Sequence, residues 1–390
     1  MEYISISVME KEKFIKKKIL LIGSTYNSLI NFRGYLIEDL LKKNNEVFCS
    51  SNDKRKKFLN IKDYKIKHYN NNINRHSMNP VLELFSIIRI FFLIKKINPD
   101  IIISYTIKPN LYIGILIYMF KLKINFFPIV TGLGYLFNKK NFLGLILIKF
   151  IKKLLAISFS SANHIFFQNT DNKKFFINSN ICNRYNCSVI PGSGIDINYY
   201  KSKNNNFSSL IFLMSSRLLF EKGVIEYFNA AKIIKKKFKN IKFIFQYTVD
   251  DNSRDKINLD FLNNININNE IEIIPEVDDI REVFKKCNIF VLPSYHEGLP
   301  RTSIEAISFG MPIITTDVPG CRETVKNDIN GYIVKVKSTF GLIKGILKII
   351  KNKNKLNRMS IESRKLAVEN FSFEIVNKMI ISEIKKNFKL

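Results

Sequence analysis

Tryptophan is absent from this 390-residue chain, and acidic residues are scarce: 33 Asp and Glu stand against 62 Lys and Arg, a formal net charge of +29. The chain is instead rich in Lys, Asn, Ile, Phe and Tyr, the mark of an AT-rich coding sequence, which by itself supplies many lysines. High positive charge therefore does not single out nucleic acid: the basic residues are spread along the chain and no reader motif accompanies them. The missing acids are unevenly distributed. Residues 1–207 hold 32 basic and 12 acidic residues, whereas residues 208–390 hold 30 and 21. Coding bias accounts for the even lysines but not for the acid-poor first half, which fits a surface facing anionic lipid or a diphosphate.

Other absences narrow the class. The five cysteines (Cys49, Cys182, Cys187, Cys287 and Cys321) are scattered. Cys182 and Cys187 have no second pair or nearby His cluster to complete a metal site, and a reduced cytoplasmic compartment fits them better. No long hydrophobic run occurs: residues 85–94 and 111–120 are about half of what a membrane-spanning helix needs. Residues 1–16 mix acids and bases without an apolar centre and read as an extension, not a signal peptide. There is no Asp-x-Asp, and no triad or paired-acid hydrolase pattern stands out.

The residues that are present alternate between buried strands and amphipathic helices. Strands are predicted at 18–22, 46–49, 100–104, 126–130, 164–168 and 187–190, with helices between them. A second series follows at 210–215, 241–245, 271–274, 289–292, 313–315 and 331–334, with helices near 223–238, 278–286, 300–309 and 340–350. This rhythm predicts an α/β fold with parallel sheets. A length of 390 residues suits two domains. Pro191-Gly-Ser-Gly-Ile-Asp196 is the boundary signal, giving an N-terminal domain over 17–195 and a C-terminal domain over 196–370. A last helix falls at about 374–388. Residues 138–159 form the strongest interfacial candidate, a helix with Lys149, Lys152 and Lys153 on one side and apolar residues elsewhere; a core helix with a solvated lysine edge is the competing reading.

The most informative stretch is residues 293–323. Pro293 ends the strand at 289–292, so Glu297 and Gly298 lie in a loop at its carboxyl end, where ligands bind in open α/β sheets. Pro300 suits a helix start, and Gly310 with Pro312 suits its stop. The free N–H groups at that start favour a phosphate. Glu305, about one and a half turns in, leans back toward the same mouth. Either glutamate alone reads as a cap or a surface acid; the combined Gly, Pro and Glu positions do not. Arg217 follows the first strand of the second domain, and Lys222-Gly223 begins the next helix, so both cations sit at the ligand edge. In the first domain, Gly23, Gly132 and Gly134 allow close backbone approach after buried strands. Arg33 and Lys108 are candidate anion-binding cations of the same domain.

The 293–323 string resembles the donor-site signature of retaining glycosyltransferases of family 4, which have two Rossmann-like domains facing each other across a cleft, the GT-B fold. Ser216–Gly223 resembles their Arg…Lys-Gly element. Phe32-Arg33-Gly34, Ser104–Asn110, Thr131–Tyr135, Phe167–Asp171 and Ile190–Asp196 resemble a narrower branch that builds capsule, O-antigen and lipid-linked oligosaccharides. The resemblance spans about residues 17–370. It implies a UDP-sugar donor, a polyprenyl-diphosphate or saccharide acceptor, and a hexose or N-acetylhexosamine transferred without a metal or other cofactor. It further implies a peripheral enzyme on the inner face of the cell membrane, with residues 371–390 packed back on the N-terminal domain. Glu297, Arg217 and Lys222 would be the catalytic residues, Arg217 and Lys222 holding the donor diphosphate and Glu297 the transferred sugar, while Gly23, Arg33, Lys108, Gly132 and Gly134 would bind the acceptor, with Arg33 and Lys108 toward its diphosphate. Glu305 would take the ribose, and Gly298, Leu299, Pro300, Arg301 and Thr302 would line the pocket. The chain departs from the pattern at 246–252 and at Pro275-Glu276, where relatives have glycine-containing turns. A UDP-sugar 2-epimerase of the same fold and a non-catalytic scaffold are the alternatives.

Overall fold

The computed structural model describes residues 16–74, 77, 79–132, 142–201, 205–250, 253, 255–265 and 270–387. The first sheet is formed by β1 (Lys18–Ile22), β2 (Glu46–Ser51), β3 (Phe58–Ile61), β4 (Tyr64–Asn70), β5 (Ile101–Tyr105), β6 (Asn125–Val130), β7 (Ile165–Phe167) and β8 (Cys187–Val189). Their spatial order is β3-β4-β2-β1-β5-β6-β7-β8. Every pairing is parallel except β3 with β4. Five helices accompany it: α1 (Tyr26–Lys42), α2 (Pro80–Ile97), α3 (Ile107–Phe120), α4 (Phe142–Ser160) and α5 (Thr170–Asn178).

β1 shows why these strands read as unbroken apolar runs. Ile19 and Leu21 enter one core cluster, while Leu20 and Ile22 enter another on the opposite face of the sheet. Both faces of a parallel sheet are covered by helices, so alternation between polar and apolar disappears. The chain leaves β1 in one direction toward β2 and β4, then returns to add β5 on the other side. The carboxyl ends of β1 and β5 therefore flank a switch point, the position at which open α/β sheets bind ligands.

The second sheet repeats the design with β9 (Ile211–Arg217), β10 (Lys242–Thr248), β11 (Glu272–Ile274), β12 (Ile289–Leu292), β13 (Ile313–Thr316) and β14 (Gly331–Val334). It is ordered β11-β10-β9-β12-β13-β14, with its switch point between β9 and β12. Its helices are α6 (Val224–Lys237), α7 (Leu259–Ile265), α8 (Ile280–Lys286), α9 (Arg301–Ser308), α10 (Thr339–Lys351) and α11 (Leu356–Asn370).

The chain then crosses back. Ser372 forms a bridge with Ile195, so the outgoing and returning strands of the connection pair with each other. α12 (Phe373–Asn387) places Val376, Ile380 and Ile384 in the same cluster as Ile19 and Leu21 of the first sheet. Phe373 stacks on Tyr35 of α1 with ring centroids 4.1 Å apart, and the Asn377 amide donates to Asp39 at 2.7 Å. Among the described residues no helix is long and apolar enough to cross a membrane.

The β3–β4 hairpin, α7 and α11 are absent from the sequence reading. In β4 the inward Ile66 and His68 alternate with exposed Lys65 and Lys67. This half-exposed edge pattern is weaker than a continuous apolar run.

Candidate active site

The carboxyl edges of the two sheets meet. Gly298, in the loop after β12, lies so close to the strand end of β6 that a Cβ there would stand 1.7 Å from the Thr131 carbonyl oxygen. Only glycine fits this approach. The same Gly298 carbonyl accepts from Asn169 Nδ2 at 2.5 Å, and Gly132 faces the Gly298 Cα. Beside it, Leu299 packs against Gly192, and Arg322 bridges the seam to Asp171 at 2.5 Å.

The sequence-derived donor residues converge at the second switch point. β9 ends at Arg217, and a 3₁₀ turn over Phe220–Lys222 brings Lys222 under the loop that follows β12. Lys222 is buried, and its Nζ lies 2.6 Å from Glu297 Oε1. Ser294 Oγ donates to the same carboxylate oxygen at 2.9 Å. Arg217 is half-buried and pairs with Asp250 at 2.5 Å. Asp250 lies just beyond the end of β10, in the stretch 246–252 that the sequence analysis sets apart from the family pattern, so this stretch supplies a carboxylate to the arginine.

Helix α9 begins at Arg301, one residue later than the sequence suggests; Pro300 before it is extended and offers no side-chain cap, so the N–H groups of Arg301, Thr302 and Ser303 lack intrahelical acceptors. Two buried polar atoms nearby are likewise unpartnered: Ser303 Oγ in the first turn and His296 Nε2 in the preceding loop. Burial, opposed by the neighbouring Glu297, holds His296 below its ordinary pKa, which favours the neutral ring. Glu305 is buried and accepts from Tyr200 Oη at 2.9 Å and from Arg301 Nε at 2.8 Å. Arg301 also donates to the Asn31 carbonyl of α1 and overlies the Phe32 ring, so a donor-side helix is tied to the first domain.

The first-domain candidates are placed differently. Gly23 follows β1, but a Cβ there would stand 2.0 Å from the Tyr105 hydroxyl, so it makes room for a side chain of its own domain. Ser24 Oγ and Thr106 Oγ1 lie 2.8 Å apart across the switch point. Thr106 has φ +71 and ψ 158, a region that side chains other than glycine's rarely enter. Such strain costs on the order of 1–3 kcal/mol and concentrates at functional sites. Lys108 is fully engaged: its ammonium contacts Glu83 at 2.6 Å and the carbonyls of Asn74 and Ser77 at 2.7 and 2.5 Å. Gly134 lies outside the described residues.

Arg33 is the outlier. It is 2% exposed, its guanidinium sits 5.1 Å from the Tyr105 ring centroid, and its Nε has no hydrogen-bond partner. No carboxylate is among the groups that shift it. Burial, with a further push from Arg301, pulls its pKa down to about 10. A buried guanidinium without an anion is costly, and an arriving oxyanion would relieve it.

Comparison with known proteins decides the family. The C-terminal half, residues 198–366, matches the family model for glycosyl transferases group 1, and residues 18–169 match the model described as glycosyl transferase 4-like. The chain is 30% identical over 327 residues to the N,N'-diacetylbacillosaminyl-diphospho-undecaprenol alpha-1,3-N-acetylgalactosaminyltransferase of Campylobacter jejuni, covering 80% of this chain and 83% of that protein. The chain belongs to the group 1 glycosyltransferases. This glycosyltransferase is also 27% identical over 377 residues to the capsular polysaccharide biosynthesis glycosyltransferase CapM of Staphylococcus aureus, over 92% of this chain and 94% of that one. Its fold matches that of HepE from Anabaena, solved in complex with UDP, with a TM-score of 0.72 at 15% identity, covering 95% of this chain and 100% of that one.

Several contributors were not singled out from the sequence. Ser294, Tyr200 and Asp250 each contact a candidate residue, and Asn169 crosses the domain seam. Asn169 lies within a stretch already matched to the family, without a role. Tyr200 is 105 residues from Glu305, and nothing local in the sequence links them.

Proposed function

We propose that this glycosyltransferase moves a hexose or N-acetylhexosamine from a UDP-sugar to a polyprenyl-diphosphate-linked saccharide, retaining the anomeric configuration, at the inner face of the cell membrane. The observation that carries this reading is the buried Lys222–Glu297 pair beside the uncapped start of α9, with Arg217 next to it. A diphosphate brings the charge that two cations and a helix N-terminus suit. When it enters, Lys222 and Arg217 exchange carboxylate partners for phosphate oxygens. Glu297, released from Lys222, turns to the hydroxyls of the transferred sugar, and Glu305 takes the ribose.

The acceptor hydroxyl then attacks the anomeric carbon as the bond to the diphosphate breaks. Its proton passes to an oxygen of the departing diphosphate on the same face. Lys222, Arg217 and the α9 N–H groups stabilise the negative charge developing there. Arg33 is assigned to the acceptor's diphosphate, because it is a buried cation with no anion of its own. The relative that acts on a diphospho-undecaprenol substrate and the UDP complex of a similar fold support the choice of acceptor and donor.

The test is incubation of the purified protein with UDP-hexoses and UDP-N-acetylhexosamines and a short polyprenyl-diphosphate saccharide, with products read by mass spectrometry. A single product, strongly reduced in Glu305→Ala, is expected. No product from any of these donors, or unchanged activity in Glu305→Ala, sinks the assignment.

A further inference from the structure

Helix α2 is apolar on two opposite sides. Ser86, Ile90, Leu93, Ile94 and Ile97 face inward. On the far side Leu84, Phe85, Ile88 and Phe92 are exposed, from 42% at Ile88 to 65% at Phe92. A helix apolar all round ordinarily lies inside a protein or against lipid, and no described residue covers this side. The patch continues onto α3: Phe91 and Phe120 stand 4.5 Å apart between ring centroids, and Tyr118, Met119 and Phe120 are each more than half exposed. α4, packed on α3, adds an exposed stripe in which Phe150 lies between Lys149 and Lys153.

Charge selects the occupant. α2, α3 and α4 carry seven Lys and Arg and one acid, Glu83. That carboxylate is already taken by Lys108 and by the Tyr112 hydroxyl. Between Asp100 and Asp171 the chain contains no acidic residue at all. A second copy of this surface would set lysines against lysines. An anionic bilayer accepts both components, apolar side chains among the acyl chains and ammonium groups at the headgroup phosphates.

Position gives the surface its use. β4 is parallel to β2, so α2 starts from the ligand edge of the sheet, and the Glu83–Lys108 pair fixes it to the start of α3 there. The stripe therefore runs from the rim of the site away along the domain.

We propose that the outer side of α2, with the end of α3 and the lysine-flanked side of α4, is the surface by which this enzyme lies on an anionic lipid bilayer and presents the rim of its site to a lipid-borne diphosphate. The use of the surface rests on the lipid-linked acceptor reading; its existence does not.

The experiment is co-sedimentation of the full chain with vesicles of phosphatidylethanolamine and phosphatidylglycerol, and with phosphatidylcholine alone. Wild type is expected to bind the anionic vesicles, with weaker binding in high salt. The double variant Phe85→Glu/Phe92→Glu is expected to lose at least about tenfold in binding, to keep the wild-type melting temperature, and to remain monomeric. It should also keep turnover of a short-chain, water-soluble acceptor while losing turnover of vesicle-borne acceptor. Wild type that ignores anionic vesicles, or a double variant that binds them as well as wild type, overturns the proposal. So does a wild-type dimer that the double variant dissociates. Vesicle binding abolished in the variant, with wild type inactive on every diphosphate-linked acceptor, would instead keep the surface and remove the acceptor assignment.

Discussion

The two edges that meet at the site are electrostatically unlike. On the donor side each named cation has a carboxylate: Lys222 has Glu297, Arg217 has Asp250 and Arg301 has Glu305. On the acceptor side Lys108 is consumed by Glu83 and loop carbonyls, and Arg33 is buried with no anion. In the proposed donor site a diphosphate would have to displace existing partners, so its affinity would be a difference between two sets of ion pairs. An anion reaching Arg33 displaces none, and its whole interaction appears on binding. On the proposed reading the donor edge is stable when empty, whereas the acceptor edge carries a stability cost that a ligand would remove.

The sharpest way to break this contrast is Lys222→Met. It strands Glu297 with only Ser294 and removes a cation from the departing diphosphate. Turnover is expected to fall by about 10²–10³-fold, with a lower melting temperature. Activity within about threefold of wild type would end the role given to the pair.

Arg33→Met should do the opposite to stability. Removing a buried, unpaired charge is expected to stabilise the fold by about 1–4 kcal/mol in urea unfolding. The KM for the diphosphate-linked acceptor should rise about tenfold or more while the KM for donor stays put. Destabilisation together with an unchanged acceptor KM would show Arg33 to be structural.

Asp250→Asn refines the donor half alone. Freed from its carboxylate, Arg217 should bind UDP a few-fold more tightly, on the order of 1 kcal/mol by calorimetry. No change would mean that Arg217 does not leave Asp250 when nucleotide binds.

The smallest effect should be common to both halves. His68 on the acceptor side and His296 on the donor side are held below the ordinary value of 6.5 by burial. The unfolded chain then binds more protons just below that value, so stability rises with pH there. It is complete above about 6.5 and lost as pH falls through the depressed folded values. Melting temperature should drop on acidification, and less so in His68→Asn; an unchanged slope in that variant would exclude His68 as a contributor.

Much of the architecture was legible because it is local. The limits of β1, β12 and β14 agree with the sequence reading to the residue. Short apolar runs ended by Pro, Gly or charge leave little freedom in where such strands stop. The start of α9 was legible for the same reason, since Pro300 and Gly310 bracket it. The interfacial surface was not. Sequence pattern favoured 138–159, where lysines mark an amphipathic side, and set aside the apolar run 85–94 in α2 as too short to span a membrane. Only the packing reveals that the outer side of α2 is covered by no described residue.

By itself the sequence determined two parallel α/β sheets, and it brought Arg217, Lys222 and Glu297 to the segments that follow strand ends and Glu305 to the helix beyond, because hydrophobic period and helix punctuation act over a few residues. The tertiary structure decided which charges are neutralised. Asp250 reaches Arg217 across 33 residues, whereas Arg33 forms no ion pair with an acid among the described residues. Such contacts depend on distances of a few ångströms between segments remote in sequence, and those distances exist only once the second sheet and its helices have packed.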